Sequence, residues 1–401
     1  MDYSCFKKKF IEVIETKKNK IIPLLVAFAI IAQNPIWPLW LLGNYCILLS
    51  YLCIVVIWFL LIRSKRKVKI HPSKFLFWGI LLIVFVVVPC FYKIRLSSFF
   101  IILTFFISSF LKENEKKMAF FYVFNFVYYT VLISLPFWLI HVFVYEFPLF
   151  TTIDLDWMKG GNCIMNNYFL FVTNSHVDYF RFYSVYDEPG VLGTISSFLL
   201  FVKKYDLSKR KNLVIFLGGI FTYSMAFYIL SIIGILFYAF SRSLRKNLVL
   251  FSVLMVFAIV GFNVLSSIPA FQKVVVYRME NFTDNSIDSR TNANMNSYFE
   301  KYITSSQALF GKGTSFLSQN QMGEGASYKL FLIEYGFVGL FLLIGIYICM
   351  IPKFTKIVLV FLFLYFLSFL QRPLAFTTWQ ILLFLCSVSV ILSNYITVDD
   401  D

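Results

Sequence analysis

The sequence predicts an all-α polytopic membrane protein with about 12 transmembrane helices. Of its 401 residues, 59% are hydrophobic, 20% are aromatic and only 14% are charged. A water-soluble domain of this length has no interior large enough to bury so much apolar surface. The apolar residues also form runs near the length of about 20 residues that a helix needs to cross a bilayer.

The basic residues predict the orientation of the chain. There are 36 lysines and arginines against 21 acidic residues, which gives a net charge of +15. They form short clusters between apolar runs instead of one basic face, so they indicate membrane topology and no nucleic-acid partner. With the N-terminus in the cytoplasm most of these clusters are cytoplasmic, and both termini are then predicted to be cytoplasmic.

The predicted spans follow the apolar runs in chain order. Residues 212–240 allow either one tilted helix, which would invert everything downstream, or a hairpin of two short helices. We predict a hairpin divided at Thr222 to Ser224, because the basic segment 241–246 then faces the cytoplasm. The predicted spans are 21–33, 39–62, 75–91, 96–111, 118–146, 189–202, 212–222, 225–240, 247–265, 329–350, 357–371 and 374–395.

Two large loops on the outer face divide the predicted spans into three groups of membrane helices. Loops of this length are usually functional or disordered, and the aromatic residues of the first loop favour a folded one. The predicted regions are N-terminal membrane helices (1–146), a first loop (147–188), central helices (189–265), a second loop (266–328), and C-terminal helices with a cytoplasmic tail (329–401).

We predict no metal site and no cofactor. The cysteines form no Cys-x-x-Cys pair, and no zinc, Walker or Ser/His/Asp pattern is present. Asp154 and Asp156 match the Asp-x-Asp pattern by which many nucleotide-sugar transferases hold a metal. In the predicted topology, however, they face outward, where nucleotide sugars are not available.

Arg181, Asp187 and Glu188 precede an apolar helix that begins near Pro189. One interpretation is structural, because an acidic residue at this position caps a helix and suits its dipole. The functional interpretation lets the planar fork of Arg181 bind a phosphate or diphosphate, while Glu188 orients or deprotonates a hydroxyl. We predict that Arg181 and Glu188 are catalytic and that Asp187 and Tyr183 belong to the substrate site.

The second loop supplies further cations. Arg290, with Arg278 and Lys312 nearby, is predicted to complete an anion site, because a diphosphate commonly needs more than one cation. The alternative is that Arg290 contacts lipid headgroups. Glu334 lies within an apolar run, where an ionisable side chain is costly unless it faces a polar cavity. We assign Glu334 and Arg372 to the substrate site as well.

Three segments resemble the O-antigen and capsular polysaccharide polymerases of bacterial inner membranes, and more distantly the O-antigen ligases. The first periplasmic loop of that family is similar to Arg181–Gly193, RFYSVYDEPGVLG. Its second loop is similar to Ser289–Ile344, which has an arginine after serine, a helix, a glycine pair and a polar turn before Glu-x-Gly-x-x-Gly-Leu. The hairpin before that loop is similar to Phe221–Leu236. The resemblance covers residues 118–371.

This resemblance implies a GT-C-like glycosyltransferase of the inner membrane that needs no metal. Such enzymes join oligosaccharide repeat units, carried on undecaprenyl diphosphate, into O-antigen or capsular polysaccharide at the periplasmic face. A sugar hydroxyl of one unit displaces the lipid diphosphate of the growing chain, and arginines stabilise the charge on the leaving group. The implied partners are this lipid-linked substrate and the bilayer, together with a chain-length regulator and a flippase.

Two alternatives remain open. Ligases of this superfamily have a histidine at the polar turn before the final Glu-x-Gly helix, whereas this chain has GASY at 325–328. That difference favours a polymerase, and it leaves Glu188 as the first candidate for the general base and His176 as the second. The alternative from another class is a lipid-linked oligosaccharide flippase or transporter, which is expected to show related halves and charges at mid-membrane.

Overall fold

The structure, a computed structural model, is mostly helical. Among the predictions, the span 247–265 and the residues His176, Arg278 and Arg290 lie outside the described part of the chain. The described residues are 20–34, 36–43, 45–64, 72–88, 96–159, 163–175, 180–240, 293–313 and 327–396, with Ser267, Gln272, Phe316 and Asn320.

Apart from Ala293–Ile303, which lies in the second loop, the longer described helices follow the predicted apolar runs. In the N-terminal part they are α1 (Lys20–Ala32), α2 (Tyr45–Arg63), α3 (Pro72–Leu82, continued by a π-helical turn at Ile83–Val87), α4 (Leu96–Ser108) and α5 (Glu113–Phe143). Further along they are α6 (Pro189–Val202), α7 (Arg210–Phe221), α8 (Met225–Phe240), α9 (Ala293–Ile303), α10 (Tyr328–Cys349), α11 (Lys356–Gln371) and α12 (Thr378–Ile396).

Within the described residues, α2, α5 and α10 are long and apolar enough to cross a membrane, with α10 counted across a break at Gly336. Shorter apolar helices of 10–17 residues include α1, α4, α6, α8 and α11. Large apolar side chains such as Phe59, Phe75 and Phe341 are exposed on the helix surfaces, where a water-soluble protein rarely carries large apolar patches. The described architecture is therefore compatible with a helical membrane protein.

The central helix of the bundle is α6. Every residue from Val191 to Val202 is buried, and α7, α8, α11 and α12 pack around this helix. Phe198 of α6 stacks on Tyr365 of α11, with ring centroids 4.0 Å apart. Because α6 is enclosed on several sides, its N-terminal end at Glu188 is held in a defined position.

The predicted hairpin within residues 212–240 is confirmed. Helix α7 ends at Phe221 and α8 begins at Met225, so the chain reverses at Thr222 to Ser224. Tyr223 has a φ of 48° in this turn, which is a left-handed conformation that cannot continue an α-helix. Helix α8 then packs along α6.

The first loop contains a small β-sheet that the prediction of an all-α fold missed. It consists of β1 (Thr151–Asp154), β2 (Ile164–Asn167) and β3 (Val172–Asn174), which are antiparallel neighbours in that order. Met165 of β2 packs in a small core with Trp40, which precedes α2. The sheet is therefore folded onto the N-terminal helices.

Backbone contacts attach the end of this loop to the segment between α1 and α2. The amide of Trp37 donates to the carbonyl of Val185 at 3.0 Å, and Ile36 pairs with Tyr186 in an isolated β-bridge. These contacts come directly before Asp187. They fix the entry of the chain into α6 and thus the position of the predicted site residues.

Helix α10 is broken at Gly336, where φ is 65° and ψ is −172°. The break leaves carbonyls without helical partners, and the second loop supplies amides for them. The amide of Lys312 donates to Ile333 at 2.7 Å, and the amide of Gly313 donates to Glu334 at 3.1 Å. The two glycine motifs of the sequence, FGKG and Glu-x-Gly-x-x-Gly, therefore meet at one joint.

Glycine is required on both sides of this joint because the two backbones are in contact. A Cβ on Gly336 would lie 2.5 Å from the amide nitrogen of Gly311, and a Cβ on Gly311 would lie 2.4 Å from the carbonyl oxygen of Glu334. Both glycines also have positive φ. The joint is closed by a 2.9 Å hydrogen bond from the amide of Val338 to the carbonyl of Leu309.

Candidate functional site

A cavity of about 350 Å³ lies at the N-terminal end of α6. Its polar lining residues are Gln33, Asn34, Ser97, Asp187, Glu188, Arg372, Thr377 and Thr378. Its apolar and aromatic lining residues are Ile47, Tyr51, Ile101, Val191, Leu374, Phe376 and Trp379. A cavity with a mixed lining of this kind can hold a ligand that has both polar and apolar groups.

An ion pair between Glu188 and Arg372 lies in this cavity. Oε2 of Glu188 contacts Nη2 of Arg372. Glu188 occupies the N-cap position of α6, but its side chain makes no capping hydrogen bond to that helix, so the carboxylate is directed to the arginine instead. The arginine side chain keeps 21% of its exposure and the glutamate 29%, so the pair is partly exposed, while Oε2 of Glu188 itself is buried.

Arg372 reaches the cavity because α11 ends there. Its backbone is extended, with φ −146° and ψ 132°, as is usual for a residue that precedes proline. Pro373 then begins a 3-10 turn, Pro373–Phe376, that leads to α12. A cation at the C-terminal end of a helix is also favoured by the helix dipole.

Gly190 leaves room for the guanidinium group. A Cβ at this position would lie 3.2 Å from Nη2 of Arg372, closer than carbon and nitrogen atoms normally approach. Gly190 follows Pro189 in the first turn of α6. The sequence Glu-Pro-Gly therefore places a carboxylate, a helix start and a gap for an arginine within three residues.

The described lining of the cavity has more negative than positive charge. Asp187 and Glu188 contribute two carboxylates, and Arg372 contributes one cation. A diphosphate would be repelled by this set unless further cations joined it. What these residues can do by themselves is orient a hydroxyl group and accept its proton.

Thr378 and Gln33 are among the lining residues that the sequence interpretation missed. Thr378 is buried, and no partner for its hydroxyl lies within hydrogen-bonding distance among the described residues. Gln33 accepts a 3.0 Å hydrogen bond from the amide of Trp379 through Oε1, which ties the end of α1 to the start of α12. Each is a polar residue at the edge of an apolar run, but nothing in the sequence relates one to the other.

Arg181 lies at the hairpin between α7 and α8. Its Nε donates to the carbonyl of Thr222 at 3.0 Å, and its Nη2 donates to the carbonyl of Tyr223 at 3.4 Å. These carbonyls are at the C-terminal end of α7, which favours a cation. Arg181 does not line the cavity, and Tyr183 is buried in the small core beneath the β-sheet.

Lys312 and Glu334 lie at the break in α10. Nζ of Lys312 is 4.6 Å from the ring centroid of Phe316 and 5.4 Å from that of Tyr298, which are cation–π distances. Glu334 is partly buried. Of the predicted site residues that the structure describes, it brings together Asp187, Glu188 and Arg372, and it places Arg181, Tyr183, Lys312 and Glu334 outside the lining of that cavity.

The Asp-x-Asp pattern stabilises the first loop. The amide of Asp156 donates to Oδ1 of Asp154 at 2.8 Å, and the amide of Cys163 donates to Oδ1 of Asp156 at 2.5 Å. Both carboxylates thus accept hydrogen bonds from the backbone of their own loop.

Comparison with protein-family models gave no match, and comparisons with curated proteins and with solved structures gave no significant match. The class of protein supported by fold and composition is a mostly helical, membrane-type protein.

Proposed function

We propose that this protein is a membrane glycosyltransferase that polymerises oligosaccharide repeat units linked to undecaprenyl diphosphate. Its product is O-antigen or capsular polysaccharide, made at the periplasmic face of the bacterial inner membrane by a GT-C-like bundle of about 12 spans. The resemblance of three sequence segments to the polymerase family supports this proposal. The observation that carries it is the partly exposed ion pair of Glu188 and Arg372 in a cavity that has both polar and apolar lining residues.

Glu188 acts on the acceptor in this proposal. Its carboxylate orients a sugar hydroxyl of the incoming unit and takes its proton as the hydroxyl oxygen forms a bond to the anomeric carbon of the growing chain. The bond from that carbon to the lipid diphosphate breaks at the same centre. The diphosphate leaves with the bonding electron pair, and the proton passes from Glu188 to water.

Arginines stabilise the leaving group. Arg372 exchanges its contact with Glu188 for one with the diphosphate, which frees the carboxylate for the hydroxyl. Since the described lining has an excess of negative charge, the second loop supplies the remaining cations through Arg290 and Arg278. Arg181 adds positive charge from the hairpin beside α6.

Apolar lining residues contact the lipid end of the substrate. Tyr51 of α2 lines the cavity, and it stacks on Phe100 of α4 with ring centroids 4.2 Å apart and planes inclined by 6°. A stacked aromatic pair of this kind gives the apolar part of a lipid-linked sugar a surface to pack against.

Polymerisation by purified protein tests this function. We expect the protein in detergent to convert a lipid-linked oligosaccharide into a ladder of longer products, and Glu188→Gln to slow this conversion by about 10²–10⁴-fold, the usual contribution of a general base. Asp206→Asn is the matched control, because Asp206 is a carboxylate that pairs with Lys209 and does not line the cavity.

Each rival predicts a different result. Full activity of Glu188→Gln would show that this carboxylate takes no part in the reaction. A ligase would transfer one block of glycan to a different acceptor without making a ladder. A flippase would move the lipid-linked unit across a vesicle membrane and form no new glycosidic bond.

A further inference from the structure

A second cavity, of about 550 Å³, lies between the C-terminal end of α5 and the β-sheet of the first loop. Its lining residues come from 141–146, from the β2–β3 region at 166–175, and from Phe180. The volume is within the range of about 300–1,000 Å³ that is usual for small-molecule sites. No lining residue of this cavity lines the cavity that contains Glu188.

The sheet presents polar side chains to this second cavity. Asn166 lies between the buried residues Met165 and Asn167 of β2, so it points to the opposite side of the strand. Tyr168, which follows β2, also lines the cavity. Thr173 of β3 is the register partner of Asn166 and lies on that side as well. This face therefore combines an amide, a phenol and a hydroxyl, each of which can donate and accept hydrogen bonds.

Aromatic rings form the adjoining wall. The rings of His141 and Tyr168 have centroids 4.4 Å apart, and Phe171 stacks behind Tyr168 at 4.8 Å. Nδ1 of His141 accepts a 3.0 Å hydrogen bond from the amide of Phe147, which fixes the imidazole ring. The wall is thus rigid and has apolar faces.

The second cavity has a negatively charged lining, which does not suit an anionic ligand. Its lining includes the carboxylate of Glu146 and, among the residues that the structure describes there, no lysine or arginine. A phosphate is therefore disfavoured. A neutral ligand with many hydroxyl groups and an apolar ring face fits the amide and hydroxyl donors together with the aromatic wall.

We propose that this second cavity is a glycan subsite, in which Asn166 hydrogen-bonds adjacent sugar hydroxyls and Tyr168 packs against a sugar ring. The subsite rests on the proposed polymerase function, since it binds part of the polysaccharide away from the reacting bond. In this proposal the cavity at Glu188 binds the reacting groups of the substrate, and the cavity at Asn166 binds neutral sugars of the polysaccharide.

Binding to a printed array of oligosaccharides of two to six sugars tests the subsite. Full-length, fluorescently labelled protein in detergent is expected to bind a subset of the array. Asn166→Ala is expected to weaken that binding about tenfold, because an amide that makes paired hydrogen bonds contributes about one order of magnitude. Thr151→Ala, an exposed change on the same sheet that lies outside the cavity lining, is expected to leave binding unchanged.

Two further variants separate this subsite from the proposed catalysis. Tyr168→Phe keeps the ring and is expected to retain more binding than Asn166→Ala, and Glu188→Gln is expected to bind the array like the unmodified protein. No array binding by the unmodified protein, or equal binding by Asn166→Ala with an unchanged melting temperature, would overturn the subsite. Array binding with an unaffected ladder in Glu188→Gln would instead overturn the catalytic role of Glu188 alone.

Discussion

At the scale of single residues, the site depends on a contact between parts of the chain that are distant in sequence. Glu188 stands at the start of α6, and Arg372 stands at the end of α11. Both could be selected from the sequence, because a charged residue beside an apolar run is conspicuous. Their pairing could not, since it depends on how α11 and α12 pack against α6.

Gly190 provides a test of the arginine's position. Gly190→Ala should lower polymerising activity at least several-fold, because the new Cβ would displace the guanidinium that lies 3.2 Å away. The helix itself should not be weakened, since alanine favours helix by about 0.5–1 kcal/mol over glycine. The measurement is ladder formation by purified protein alongside its thermal melting curve.

Gly79→Ala is the control for that substitution, because a Cβ at Gly79 in α3 would meet no atom within 4 Å. We expect this variant to be as active as the unmodified protein. Equal activity of Gly190→Ala and Gly79→Ala would show that the contact between Gly190 and Arg372 has no part in function.

At the scale of elements, the described part of the second loop is joined to the helical bundle through the break in α10. Tyr302 of α9 strengthens the joint, since its hydroxyl donates to the carbonyl of Leu332 at 3.0 Å. Burial raises the pKa of Tyr302 to about 12, so this donor keeps its proton at physiological pH. The close backbone packing at this joint therefore explains the glycine motifs without any role in phosphate binding.

Gly336→Ala should destabilise this joint. The substitution places a methyl group 2.5 Å from the backbone of Gly311 and also imposes a positive φ on alanine, which by itself costs about 1–2 kcal/mol. We expect a lower melting temperature in detergent and faster proteolysis of the second loop.

Gly43→Ala separates these two causes. Gly43 has a φ of 55°, but a Cβ there would meet nothing within 4 Å. If both alanine variants melt at the same temperature, the packing of Gly311 against Gly336 contributes nothing beyond backbone conformation.

At the scale of the whole molecule, the sequence predicted helices better than it predicted contacts. The bounds of α6 and α8 match the predicted runs 189–202 and 225–240, because long apolar runs give a strong signal. The β-sheet of the first loop was missed because its strands have only three or four residues. Such short strands are stabilised by the core that they share with Trp40, which no local pattern shows.

The predicted orientation of the chain in the membrane can be tested with reporter fusions. Reporter fusions after Ser208 should be cytoplasmic and fusions after Asn285 should be periplasmic. In the predicted topology the hairpin of α7 and α8 returns the chain to the cytoplasmic side, and the predicted span 247–265 then carries it across the membrane. Paired phosphatase and fluorescent reporters measure this directly. A cytoplasmic signal at Asn285 would put the second loop on the wrong side for a periplasmic polymerase.

The role of Glu188 in polymerisation is tested most directly by the surface polysaccharide profile of cells that produce Glu188→Gln at the normal protein level. We expect single repeat units on lipid without the ladder of longer chains, because a unit is delivered but its hydroxyl is not activated. The Asp206→Asn strain should show the full ladder. A full ladder in Glu188→Gln cells would show that Glu188 is not needed for polymerisation. Loss of even the single units would point to transport instead of polymerisation.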